Sequence, residues 1–70
     1  MTVEEWIEAF AREAGVAPPT TSEIDALLAL AGVAARSSER RAAPITTWLA
    51  ARSSLSPAGA LEVAERLSAG

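Results

Sequence analysis

Neither cysteine nor histidine occurs among the 70 residues, and lysine is missing as well. Without cysteine there is no disulfide, no thiolate nucleophile and no cysteine-held zinc. Without histidine the commonest metal ligand and general base are gone. Ser37, Ser38, Ser53, Ser54 and Ser56 therefore have no imidazole to activate them, and no phosphate-cradling glycine motif is present. Neither enzymatic activity nor a cofactor is expected. Apolar runs are short of the roughly 20 residues that a bilayer-crossing helix needs. The first ten residues, MTVEEWIEAF, are acidic where a secretory leader is basic, so a cytoplasmic location away from membranes is expected.

Positive charge is scarce too. Six arginines face nine carboxylates, for a formal net charge of −3. Neutralising a phosphate backbone needs the opposite balance, so a nucleic-acid partner is not expected. A chain of this length hides only about 60% of the surface that its unfolded form exposes. With disulfides and cysteine or histidine metal sites excluded, stability must come from regular helix packing or from association.

What the sequence does contain is helical periodicity. Thr2 followed by Glu5 spells a capping box. Val3, Trp6, Ile7, Phe10 and Ala14 then recur at helical spacing as far as Gly15, predicting a helix over 3–14 with Glu8 and Arg12 paired on its outer side. The paired prolines of VAPPTTSE break the chain. Thr20 or Ser22 can cap the next helix, over 21–36, and Thr20 with Glu23 would make a second capping box. On its wheel Ile24, Leu27, Leu28 and Leu30 span an arc of roughly 160°, which Ala26 and Val33 widen. Only Asp25, Ala29, Gly32 and Arg36 look fit for water. A helix apolar over most of its circumference is the central helix of a bundle, one side of a protein interface, or both.

After the polar SSERRAA, Pro44 suits the first position of a third helix over 44–53, with Ile45, Trp48 and Leu49 turned inward. Arg52 falls on the same face one turn after Trp48, placed to lay its stem over the indole. Ser56 and Pro57 start a fourth helix over 57–68. Leu61, Ala64 and Leu67 form its inward stripe, Val63 widens it, and Glu62 pairs with Arg66. No segment alternates as a half-buried strand would. The expected fold is all-α, a compact bundle of four short helices in a single domain.

Three sets of residues are candidates for function. Arg36, Arg40 and Arg41 precede the third helix, whose free amides and positive dipole end, with Thr46 and Thr47 nearby, would suit a phosphate or a partner's carboxylate. The competing reading makes Arg40 and Arg41 solvated loop charges and has the threonines bond back to the preceding turn. Ala26, Leu30, Val33, Trp48 and Arg52 are the candidate interface residues, although core packing is the expected place of Trp6 and Trp48. Glu4, Glu5, Glu8, Glu13 and Asp25 are expected on solvated helix faces, without the burial that a catalytic pair needs to set the acidities of its two carboxyls apart.

The stretches EEWIEAFARE, EIDALLALAGVAA and SERRAAPITTWLAARSSLSPAGALEVAERL together resemble a small actinobacterial helical domain of unknown function. The resemblance covers nearly the whole chain. It is most specific at Arg40 and at Ala42-Ala43-Pro44-Ile45-Thr46-Thr47-Trp48-Leu49, where members read Ala-Ala-Pro, an aliphatic residue, Thr, a polar or small residue, an aromatic and Leu. In that family the domain stands alone or extends the C-terminus of proteins like molybdenum cofactor guanylyltransferase, which joins GMP to molybdopterin. Members often carry His where this chain has Arg36 and, when fused, Pro where it has Arg41. The breadth of apolar surface on the second helix, in a chain with so small a core, leads to the expectation of an interaction module that docks on itself, as a homodimer, or on another protein. What the resemblance implies is a molybdenum cofactor guanylyltransferase-like protein as a candidate partner and, for the arginine loop, a nucleotide or pterin phosphate as the candidate ligand.

Overall fold

A computed structural model describes all 70 residues and contains four α-helices and no strand: α1 (Val3–Ala14), α2 (Thr21–Ser37), α3 (Ala42–Arg52) and α4 (Pro57–Ala69). The start signals written in the sequence are made in space. Thr2 Oγ1 accepts from the Glu5 amide at 3.1 Å while Glu5 Oε1 accepts from the Thr2 amide at 2.7 Å. Thr20 and Glu23 repeat the arrangement at 3.1 and 2.8 Å. Ser56 Oγ accepts from the Gly59 amide at 3.0 Å, with Pro57 in the first helical position. Each cap satisfies amides that no helical carbonyl can reach. Gly15 ends α1 at φ +76°, a left-handed conformation that costs a glycine nothing.

The third helix starts earlier than Pro44. The Ala42 and Ala43 amides donate to the carbonyls of Glu39 and Arg40, at 2.9 and 3.1 Å, so the turn after α2 winds directly into α3 and Pro44 is its third residue. This is tolerated because the first four amides of a helix have no partner within it, and proline lacks only such an amide. The ion pairs expected within α1 and α4 are not formed. Arg41 with Glu39, both exposed, is the one salt bridge.

The core is organised by α2. It runs against both α3 and α4, whereas α3 and α4 barely approach each other, and no Cα of α1 comes within 8 Å of another helix. Leu30, in the middle of α2, is 1% exposed and is the only large side chain sealed from water. Ala11 and Ala60 are the other buried residues. The central role expected for α2 is thus its role. Leu28, however, is exposed and joins Asp25, Ala29 and Arg36 on the outer strip.

The packing is uneven and the molecule elongated, 38 × 24 × 18 Å, with a radius of gyration of 12.6 Å against about 11 Å for an average domain of this length. No helix is long and apolar enough to cross a membrane.

Candidate docking surface

The third helix faces opposite to the direction its large residues suggest. Ala42, Ala43, Thr46, Thr47 and Ala50 are the half-buried residues of α3, and they share one arc of its wheel. Ile45, Trp48 and Leu49 lie on the other arc, each more than half exposed. Small residues let two helix backbones approach closely, so the alanine and threonine side is what α3 turns inward. The expected inward placement of Ile45, Trp48 and Leu49 is therefore corrected. Arg52 does lie over the indole as expected, its guanidinium carbon 4.7 Å from the Trp48 ring centroid, but on the outside of the molecule.

On α1, Ile7 is half-buried and Ala11 buried, and the adjacent arc bearing Val3, Trp6 and Phe10 is open. Trp6 is 58% and Phe10 62% exposed, with their ring centroids 6.2 Å apart in a tilted pair. Core packing is thus overturned for both tryptophans: no helix comes near enough to α1 to cover Trp6, and Trp48 is outside because α3 packs on α2 through its alanine and threonine side. Leu67, placed on the inward stripe of α4, is 78% exposed in the last turn of that helix.

Between α3 and α4 the backbone separation leaves an apolar groove of about 230 Å³. Leu30 and Ala60 form its floor, Leu49 and Ala50 one wall and Val63 the other, with Leu67 among its lining. Leu49 belongs both to this groove and to the outer face of α3, so the two surfaces are continuous. Of the candidate interface residues, Trp48 and Arg52 lie on this surface. Leu30 is under it, sealed by the chain's own packing, and Ala26 and Val33 are half-buried along α2, so these three do not form an outward patch.

The arginine loop does not assemble a phosphate cradle. The Ala42 and Ala43 amides are already bonded, and Pro44 has none. The Arg41 guanidinium is held by Glu39, with Nε 2.7 Å from Oε1. Arg36 folds back along α2, its Nη1 2.9 Å from where a Cβ on Gly32 would stand. Thr47 donates its hydroxyl to the Pro44 carbonyl at 2.9 Å, the backward bond typical of a helical threonine, and Thr46 turns toward the groove. Arg40 is exposed with no side-chain partner. Glu4, Glu5, Glu8, Glu13 and Asp25 are all exposed, as their helical positions require.

Sequence reasoning missed the groove and the outward face of α3. A signal for the latter was present: α3 has two apolar sides, one of small residues and one of large, and periodicity alone does not say which faces inward. A family model described as a domain of unknown function (DUF6457) matches residues 1–69. No curated protein and no solved structure matches the chain.

Proposed function

The chain belongs to the DUF6457 family of domains of unknown function, and from its surfaces we propose that it is a non-catalytic docking module whose partner is a protein. The observation that carries this reading is the exposure of Trp6 and Phe10 on the capped helix α1 and of Ile45, Trp48 and Leu49 on the regular helix α3. Fully burying a large apolar side chain is worth about 1.5–3 kcal/mol. Five such groups left in water give a strong drive toward a covering surface, and tryptophans are the favoured anchors of protein interfaces. Helices hold these anchors in place before binding, which lowers the entropic cost of docking.

The partner is another protein or a second copy of the chain. The likeness of the RRAAPITTWLAA stretch to domains fused to molybdenum cofactor guanylyltransferase-like proteins makes such an enzyme the first heterologous candidate, and a cytoplasmic setting goes with it. The phosphate-binding alternative has little to support it, since the Ala42 and Ala43 amides and the Thr47 hydroxyl are bonded within the chain.

Iodide quenching of tryptophan fluorescence tests the proposal. The indoles should be open to iodide in the isolated chain at high dilution and protected when a partner or a second copy is bound. A monomer in which both indoles are shielded at every dilution would refute it, because the apolar faces would then close within one chain. Calorimetric titration with GTP, GMP and phosphate at millimolar concentration should give no heat. Saturable heat that disappears in Arg40→Glu with Arg41→Glu would establish the phosphate site instead.

A further inference from the structure

The occupant of the docking surface can be deduced from three observations. The first is area. The chain exposes 5374 Å², whereas a well-packed monomer of 7.2 kDa exposes roughly 4,100 Å². The excess is about 1,250 Å² per chain, so two chains that each hid it would bury about 2,500 Å² together, within the range of obligate homodimers. The second is charge. Residues 1–15 carry four glutamates and one arginine, and residues 36–52 carry four arginines and one glutamate. The third is shape. One chain holds both halves of an interface: a projecting aromatic ridge on α1 and a groove with a leucine floor beside α3.

We propose that the partner is a second copy of this chain, with the Val3–Trp6–Phe10 ridge of α1 from each copy seated on the Trp48–Leu49 face and α3/α4 groove of the other. This rests on the docking reading and names its occupant. A two-fold axis is the arrangement that makes both contacts at once, whereas a head-to-tail arrangement of two copies leaves one ridge and one groove open. An amphipathic helix laid in an apolar groove is a common way for helical proteins to associate. The charges favour this pairing over the contact of α1 with α1: the former sets a segment of net −3 on one of net +3, the latter sets like charges together. Within one chain the ridge stays uncovered, because α1 stands off from every other helix.

Light scattering behind size exclusion, with sedimentation from about 1 μM to about 1 mM chain, reads the assembly state, in a range where standard-sized interfaces associate. Wild type should be a dimer. Trp6→Glu and Leu49→Glu each place a charge at a residue more than half exposed, so the helical circular dichroism of the subunit should survive. Each should weaken dimerisation by at least about 100-fold, the scale of an interface anchor.

Mixing the two variants is the decisive step. A heterodimer of Trp6→Glu with Leu49→Glu has one doubly damaged contact and one intact contact, so it should form where neither variant dimerises alone. A wild-type dimer that survives Leu49→Glu but not Trp6→Glu would overturn the proposal in favour of contact between two α1 helices. A wild-type monomer whose tryptophans iodide still reaches would also overturn it, yet would leave the docking reading standing for another protein. A monomer with shielded tryptophans would end both.

Discussion

Replacing Leu30 by alanine removes the one large side chain that the fold seals from water. Three carbon groups are lost, and at about 0.8 kcal/mol each their transfer term is about 2.4 kcal/mol. In closed cores a cavity term raises such losses to as much as about 5 kcal/mol. Here Leu30 forms the floor of the groove between α3 and α4, so the hole opens into an existing depression and most of the cavity term is absent. The expected destabilisation is therefore about 2.5–3.5 kcal/mol. A domain of this length has only about 4–10 kcal/mol in total, so the loss is a large share of it. Urea unfolding followed by far-UV circular dichroism gives the number, read at two chain concentrations because any dimer adds stability by mass action. With a slope near 1 kcal/mol per molar urea, the midpoint should fall by roughly 2.5–3.5 M while the slope is kept. A loss under about 1 kcal/mol would refute the packing of α2, α3 and α4 around this residue. A loss near about 5 kcal/mol would show that the space above it is closed.

Gly32→Ala should stabilise the chain by about 0.5–1 kcal/mol, because the new Cβ meets only the mobile end of Arg36 while the helix interior loses a flexible glycine. Thermal melting checks this, with a rise of a few degrees expected for a small domain. Thr20→Ala removes the hydroxyl that caps the central helix and should cost about 1 kcal/mol in urea unfolding. Arg41→Ala should change stability by less than about 0.5 kcal/mol, since its pairing with Glu39 lies in solvent. A larger loss would show that the loop is braced by this pair.

The starts of α1, α2 and α4 were legible in the sequence because a cap is a local event: Thr2 and Glu5, or Ser56 and Gly59, need nothing beyond their own turn. The central place of α2 was legible from the breadth of its apolar arc. Its floor residue Leu30 lies in that arc, while Leu28 at its edge is left outside. The orientation of α3 was not legible. Its wheel has apolar residues on both sides, and the assumption that Ile45, Trp48 and Leu49 seek their own core holds only for a chain that buries its own large residues. The start of α3 was displaced for a related reason: Pro44 marks a first turn but does not say at which residue that turn begins. Among the candidate site residues, Trp48 and Arg52 were placed on a common face by spacing alone. Free amides were expected at the start of a helix beginning at Pro44, because sequence cannot show that the turn of Glu39 and Arg40 winds into α3 two residues earlier and takes the Ala42 and Ala43 amides first.

The division of α3 into an inner side of Ala42, Ala43, Thr46, Thr47 and Ala50 and an outer side of Ile45, Trp48 and Leu49 separates two kinds of selection. Changes on the inner side alter how the subunit folds, whereas under the docking role proposed above changes on the outer side alter what it holds and leave the subunit itself largely as it was. Recognition in such a helix can drift, or be rewritten by design, at positions 45, 48 and 49 without the usual conflict between keeping a fold and acquiring a new partner.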